Sequence, residues 1–598
     1  RSDIMSVFDK FPEKALSKAD LKKEIKLNEG ALAGLVKTGV VIQKSITIEE
    51  TPHPYMHPTY SNSLSIEQSR AAKVLRKKIR KKSYETTLLK GVTGSGKTEV
   101  YFDAISQTID LGYQVLILLP EIALTIEFVK RITDRFGVEP AEWHSGISLS
   151  ERRRIFLNAA NNNLQLVIGA RSALFLPFKK LGLIVVDEEH DGSYKQEEGV
   201  CYNARDMAVL RSSLNYSQVI LTSATPSLES WVNCKTGKYS LIELKERFGL
   251  AVLPKIKPID LKTDNLKKGQ WISSSLKSSI AKRLEKKEQT LLFLNRRGYS
   301  PITVCRSCGF QFGCENCDAR LVNHKSRKLL ICHQCGVSRD LPPSCPNCEK
   351  DGHFATIGPG IERLAEEAEG IFPQARIGIL SSDSVDNKDD LKRKIKQFSE
   401  GEVDIIIGTQ LVSKGYNFPK ITLVGVIDSD LALQGSDLRA SEKSFQLLRQ
   451  VSGRSGRDNR MGEALLQTYV PEHPVIVTLV DGDDECFLEA ETNLRRQAKV
   501  PPFGKMVAII LSGREEKVLL DFGRFITGKW HSLGSEHALI FGPAVAPISK
   551  IRGKSRVRIL IKSEKLFPIQ RLVKIWLSHF KIPKYINFSI DVDPHNFY

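Results

Sequence analysis

The stretch "LLKGVTGSGKTEVY" constrains the fold more than any other. It places G-x-x-x-x-G-K-T, from Gly91 to Thr98, directly after an apolar run and at the opening of an amphipathic segment. A glycine-rich loop between a buried strand and a helix start turns its amides toward phosphate oxygens, and that context is the parallel sheet of an α/β layer. Gly91, Val92, Thr93, Gly94, Ser95 and Gly96 then form a phosphate cradle. Lys97 would reach the β- and γ-phosphates of ATP, and Thr98 would offer its hydroxyl to Mg²⁺.

The rest of the chain repeats the same architecture. Short apolar runs alternate with amphipathic ones in "TTLLKG", "YQVLILLP", "LQLVIG", "LGLIVVDEEH" and "SQVILTSAT", and a second series follows in "QTLLFLNRRG", "ARIGIL", "VDIIIGTQ", "ITLVGVID" and "EALLQTY". Runs of four to six apolar residues separated by helices indicate strands covered on both faces, so two α/β lobes are expected. With 598 residues the chain has room for roughly four domains. The expected division is a winged-helix-like or plain helical module over 1–52, a proline-containing linker over 53–64, a first lobe over 65–235 and a connection leading into the second lobe over 236–299. A cysteine-rich insertion over 300–352, the rest of the second lobe over 353–484 and an α+β domain over 485–598 complete it.

Several residues near the strand ends are candidates for chemistry. Asp187 and Glu188 close the run "LIVVDEEH", where one carboxylate can hold the Mg²⁺ ligand sphere and the other can orient the attacking water. His190 lies two residues on and is expected to couple to Thr222, Ser223, Ala224 and Thr225 in "TSAT". Upstream, Gln68 could read adenine through its paired donor and acceptor, or be a solvated helix residue. In "QLLRQVSGRSGR", Gln450 joins the ATP-binding set, and Arg454 and Arg457 could enter from the second lobe as arginine fingers.

The ordered set "GVTGSGKTEVY", "LLPEIALT", "IGARSALF", "DEEHDGSYKQEE", "TSATPS", "GTQLVSKGYNFPKITLV" and "QVSGRSGR" resembles superfamily 2 helicases. With "NRRGYSP", the paired cysteines, "AKVPPF" and "FGPAVAPISKIRGKSR", it is similar more narrowly to the PriA-type replication-restart helicases over nearly the whole chain. That resemblance implies two RecA-like lobes, a winged-helix domain, an inserted zinc module and a C-terminal domain for branched DNA. It implies ATP-dependent 3′-to-5′ unwinding of forks and primosome assembly in the bacterial cytoplasm, by a monomer. The partners it implies are single-stranded and forked DNA, single-stranded DNA-binding protein and replicative-helicase loading proteins. It also assigns Thr409, Gln410, Lys414 and Gly415 to DNA contact or coupling, and Tyr194, Tyr202 and Arg205 to a DNA-facing loop. The chain departs from the pattern at Tyr416-Asn417, in the few aromatics after "DEEH", and in having no counterpart of the family's N-terminal 3′-end-binding domain. Residue 1 is not Met and no apolar signal core follows, so a fragment or processed form of a non-secreted protein is expected. Rival readings are an RNA or double-strand translocase, and an ATP-switched DNA-binding scaffold that does not unwind.

Eight of the eleven cysteines fall in four C-x-x-C pairs, Cys305/Cys308, Cys314/Cys317, Cys332/Cys335 and Cys345/Cys348. One tight turn can present both thiolates of a pair to a tetrahedral metal, so two closed, structural Zn²⁺ sites are expected. The inner pairs have zinc-ribbon spacing, which leaves the outer pairs to share the other ion; the resemblance implies the same nesting. Net charge is +19, a bias toward polyanions. It concentrates in "EQSRAAKVLRKKIRKK" and in the turn-and-strand stretch "SKIRGKSRVR", where Lys550, Arg552, Lys554 and Arg556 are candidates for DNA-backbone contact. No apolar run is long enough to span a membrane, and none is expected to be a partner.

Overall fold

The computed structural model describes residues 2–10, 16, 18–25, 27–43, 54, 56–57, 64–120, 126–248, 253–264, 266, 270–295, 303–305, 307–314, 321–324, 329–332, 337–351, 354–356, 361–381, 388–412, 418–433, 437–456, 460–530, 537–551 and 553–596. Residues 1–52 make one unit and 53–598 another. In the first, helices Ser2–Lys10, Lys18–Glu24 and Glu29–Lys37 bury Ile4, Val7, Leu21, Leu32 and Leu35 against one another. Asn28 caps the third by accepting from the Ala31 amide at 3.1 Å. Residues 44–53 and most of the expected linker lie outside the described residues.

In the second unit, side chains alternate across a seven-stranded, all-parallel sheet. Its order is Ala141–Trp143, Leu166–Gly169, Gln114–Leu118, Leu181–Val186, Gln218–Ser223, Glu85–Gly91, Ser240–Leu244. Leu89, Val115, Ile117, Leu183 and Val185 face helices Ile66–Arg80 and Lys97–Asp110. Their neighbours Leu88, Leu116, Leu118, Ile184 and Val186 face Leu149–Asn161 and Ala204–Asn215. Burial on both faces is why these strands read as unbroken apolar runs. The first lobe runs past its expected end at 235, because Ser240–Leu244 pairs with Glu85–Gly91.

The second lobe is a six-stranded parallel sheet in the order Lys255–Asp260, Glu463–Thr468, Ile421–Val426, Gln289–Phe293, Ile405–Gly408, Ile377–Leu380. One of its two cores takes in Leu228, Trp231 and Val232 from the first lobe and Phe487 and Leu488 from helix Asp484–Gln497. That helix is therefore part of the second lobe's core, which moves the start of the C-terminal domain later than residue 485. From Gly504 onward, four antiparallel strands in the order Ala538–Ile551, Lys554–Glu564, Gly504–Gly513, Asn587–Val592 pack against helices Glu516–Gly528 and Ile569–Ser578. Trp530 and Trp576 meet edge to face at 5.0 Å in that core. Between the Gln289–Phe293 and Ile377–Leu380 strands, short strands carry the cysteine module. Among the described residues no helix is long and apolar enough to cross a membrane.

Candidate nucleotide site and its couplings

Strand Glu85–Gly91 ends at the loop, and helix Lys97–Asp110 begins at Gly96. Gly94 and Gly96 adopt φ of +85° and +77°, a region that favours glycine and lets successive amides face one concavity. Lys97 Nζ folds back onto the Gly91 carbonyl at 2.8 Å. Val92 donates its amide to the Leu244 carbonyl at 3.2 Å, which pins the loop to the edge strand. Ser95 is buried beneath the loop.

Gln68 is corrected by the structure. It is 2% exposed, its Oε1 accepts from the Ser65 amide at 2.9 Å and its Nε2 donates to the Ser95 carbonyl at 2.8 Å. Both ends of the amide brace the helix start and the phosphate loop, and the side chain presents no open face for reading a base.

Asp187 follows the strand Leu181–Val186. Its carboxylate accepts from the hydroxyls of Thr222 and, at 3.1 Å, Tyr101. Burial pushes its pKa above the usual range, the neighbouring Glu188 carboxylate adds to the rise, and Thr222 and Lys97 oppose it. Two crowded carboxylates beside the hydroxyls of Thr222 and Tyr101 are a donor set that fits a divalent cation. Glu188 itself sits at φ +47°.

His190 joins the two lobes. Its Nδ1 lies 2.7 Å from Ser223 Oγ, and its Nε2 lies 2.9 Å from Gln450 Nε2 on the second lobe. Ser223 Oγ also accepts from the Thr225 amide at 2.9 Å, and Ala224 borders the adjoining cleft. Gln450 thus meets a motif of the other lobe. A Cβ on Gly453, the residue before Arg454, would lie 3.0 Å from Thr93 Oγ1, so the arginine-bearing turn is packed directly on the phosphate loop. Arg454 is half-buried there; Arg457 lies outside the described residues.

A cleft of about 810 Å³ opens beside this site, lined by Lys90, Gly91, Val92, Arg449, Asp483, Asp484, Glu485 and Glu489 among others. Its five acidic side chains, Glu243 included, and the absence from its lining of the loop residues 94–98, make it unsuited to a polyphosphate.

Glu189, which carried no role in the sequence reading, is the most connected carboxylate of its motif. It is buried, accepting from the Ser227 amide at 2.6 Å, from Ser230 Oγ at 2.9 Å and from Arg205 Nη1 at 3.3 Å. The network continues across the lobes. Arg439 donates to Glu229 at 2.6 Å, Glu442 accepts from the Leu228 amide at 2.9 Å, and Arg495 bonds Glu442 at 2.7 Å and Glu491 at 2.9 Å. Burial works against the Glu229 charge, but Arg439 and Arg205 outweigh it and hold the carboxyl well below its usual range.

Two proposed DNA contacts are therefore corrected. Arg205 is 3% exposed and enclosed by Glu189, Glu229 and Asp206, so it cannot reach a phosphate. Tyr194 is 1% exposed, and its hydroxyl donates to the carbonyls of Leu118 and Asp187, at 2.9 and 2.6 Å. Tyr202 is partly exposed and meets Phe175 edge to face at 5.1 Å. The loop after "DEEH" is instead tied to the C-terminal segment. Lys195 pairs with Asp591 at 2.6 Å, Asn203 meets His595 at 3.2 Å, and Lys443 of the second lobe donates to the His595 carbonyl at 2.5 Å.

Of the other candidates, Thr409 is buried just beyond the strand Ile405–Gly408 and Gln410 is half-buried. Lys414 and Gly415, with Tyr416 and Asn417, lie outside the described residues. Lys550 pairs in register with Ser555, and Ile551 with Lys554, around a turn at Gly553 with φ +77°. Lys550 and Lys554 are exposed at that tip and Arg556 is half-buried; Arg552 lies outside the described residues. Arg558, further down the strand, is buried and its pKa is pushed down to about 10 by desolvation, so it belongs to the core and not to the basic tip. The basic helix is similarly engaged inside the lobe, with Arg76 on Asp103 at 3.1 Å and Lys78 on Glu85 at 2.8 Å.

In the cysteine module, the Sγ atoms of Cys305, Cys308, Cys345 and Cys348 lie within 4.8 Å of one another. Cys305 to Cys348 and Cys308 to Cys345 are each 3.6 Å, close to the edge of about 3.8 Å that a tetrahedron with Zn–S bonds of about 2.3 Å would have. These four residues fit one zinc ion as a closed site. Cys332 is buried and Cys314 half-buried, while Cys317 and Cys335 lie outside the described residues. No disulfide joins the described cysteines, Cys201, Cys234 and Cys486 included.

Four family models match the chain: a DEAD/DEAH box helicase over 67–232, the PriA DNA helicase Cys-rich region over 314–339, a helicase conserved C-terminal domain over 355–459 and a primosomal protein N C-terminal domain over 496–595. The replication restart protein PriA of Rickettsia felis is 43% identical over 571 residues, covering 95% of this chain and 86% of that protein. That of Bacillus subtilis is 35% identical over 586 residues, covering 96% and 72%. A solved structure of RecG bound to a three-way DNA junction aligns with a TM-score of 0.44 and 16% identity, covering 78% of this chain and 48% of that one.

Proposed function

This chain belongs to the PriA family of replication restart proteins and is a superfamily 2 helicase, and we propose that DNA stimulates it to hydrolyse ATP between its lobes while it unwinds branched forks 3′ to 5′. The observation that carries this reading is His190, bonded at 2.7 Å to Ser223 and at 2.9 Å to Gln450 of the facing lobe. A contact made at both ends only when the lobes meet can relay nucleotide state into lobe movement.

The loop from Gly91 to Gly96 holds the phosphates with its amides, and Lys97 leaves the Gly91 carbonyl to meet the β- and γ-oxygens. Thr98 and Asp187 would hold Mg²⁺, which would supply charge neutralisation for the transferred phosphate. Glu188 orients the attacking water, and Arg454, with Arg457, steadies the charge that develops on the transferred phosphoryl group. Val92 and Thr93 shape the cradle, and Thr222, Ser223, Ala224, Thr225, Gln450 and Gly415 carry the change of state. Lys550, Arg552, Lys554 and Arg556 contact the DNA backbone at the C-terminal hairpin, and Tyr202, Thr409, Gln410 and Lys414 border the tracked strand. The four C-x-x-C pairs would hold two structural zinc ions. Single-stranded DNA-binding protein and replicative-helicase loaders are the proposed partners in primosome assembly.

Comparing ATPase stimulation by single-stranded, duplex and forked DNA and by RNA tests the substrate class. Strongest stimulation by forked or single-stranded DNA is expected. Equal or greater stimulation by RNA would overturn it.

A further inference from the structure

Beyond the strand Ser240–Leu244, residues 245–248 run as a strap along the phosphate loop. The Val92 amide bonds the Leu244 carbonyl at 3.2 Å, the Phe248 amide bonds the Gly94 carbonyl at 3.0 Å, and Glu67 accepts from the Lys245 amide at 2.8 Å. Strap and loop are thereby held in fixed register at Val92 and Gly94. From this strap Arg247 reaches into the other lobe. Its Nη1 donates to the Gly456 carbonyl at 2.9 Å and its Nη2 to the Gly453 carbonyl at 3.1 Å. Those carbonyls bracket Arg454 and Ser455. The Arg247 stem lies 3.8 Å from where a Cβ on Gly94 would be, so one side chain touches the loop and clamps the opposite turn.

We infer that Arg247 is a positioning residue for hydrolysis: it sets the Arg454-bearing turn at a fixed distance from the phosphate loop. A planar guanidinium can donate to two carbonyls at once in one rigid geometry, and an ammonium cannot reproduce that fork. Displacing a catalytic group by about 1 Å can cost on the order of 100-fold in rate. This inference rests on the reading that Arg454 acts in hydrolysis.

The test is steady-state ATPase with saturating forked DNA, on the full chain, for Arg247→Ala, Arg247→Lys, Arg454→Ala and the double variant Arg247→Ala/Arg454→Ala. Arg247→Ala is expected to lower kcat about 10-fold or more with KM for ATP within about 3-fold, and Arg247→Lys to rescue little of it. The double variant is expected to be no slower than Arg454→Ala alone, because both changes remove the same placed guanidinium. A merely structural role would weaken fork binding and thermal stability along with kcat; both are expected to hold in Arg247→Lys. Wild-type kcat in Arg454→Ala would remove the arginine-finger reading itself. A slow Arg454→Ala with wild-type kcat in Arg247→Lys, or fully additive losses in the double variant, would overturn the role of Arg247 alone.

Discussion

His190 is small, but each of its ring nitrogens meets a different lobe. Removing it breaks the proposed relay without touching the loop from Gly91 to Gly96. For His190→Ala, the stimulation of ATPase by forked DNA is expected to fall by about 5- to 150-fold, the range of a typical coupling energy. Stimulation retained at the wild-type level would contradict the relay. His595 makes a different prediction, in pH. Burial, with Arg439, pushes its pKa well below the ordinary value, although Glu229 pulls the other way. The folded chain therefore keeps this ring neutral where the unfolded chain protonates it, at about 6.5. Its contribution is complete above that pH and is lost as pH falls toward the folded pKa. The thermal midpoint of the wild type should drop more steeply between about pH 6.5 and 5 than that of His595→Asn; equal slopes would contradict it. At this scale the sequence showed which motif mattered but not which carboxylate faces where. "DEEH" offers Glu188 and Glu189 as equals, and only the left-handed turn at Glu188 sends Glu189 into the core.

Elements meet through charge as much as through apolar packing. Helix Asp484–Gln497 places Arg495, 2% exposed, between Glu442 and Glu491. Removing one partner leaves buried carboxylates uncompensated, so Arg495→Ala is expected to destabilise by about 3–5 kcal/mol, read from denaturant midpoints. The double variant Arg495→Ala/Glu442→Ala should lose less than the sum of the two, because the charges removed together no longer need each other. Additive losses would show that the pair contributes no coupling. Central strands were readable in the sequence because burial on both faces demands unbroken apolar runs. The edge strand Ser240–Leu244 was not, since "SLIEL" is half-buried and its partner lies some 150 residues earlier. Nor did the "RRQ" end of helix Asp484–Gln497 look like a core element, because one of the two acids that pair with its buried Arg495, Glu442, comes from a distant segment.

Over the whole molecule, two lobes and a cysteine module were readable from spacing, and which basic residues stay exposed was not. Spacing is local, whereas exposure of a cation depends on what the fold packs against it. Arg205 and Arg558 were drawn inward while Lys550 and Lys554 stayed at a hairpin tip. The cysteines make a prediction at this scale: two zinc ions per chain, falling by one when Cys308 and Cys345 are both replaced by Ser. One ion or none in the unaltered chain would contradict the nested pair of sites. The central claim is that ATP turned over between the lobes drives opening of a DNA fork. It is tested most directly by ATP-driven unwinding of a labelled fork, with and without a 3′ end at the branch, by the unaltered chain and by Lys97→Ala. The unaltered chain is expected to unwind the fork, and Lys97→Ala to bind it with similar affinity while losing roughly 100-fold or more of its hydrolysis and all detectable unwinding. Unwinding by Lys97→Ala at the wild-type rate would contradict the account.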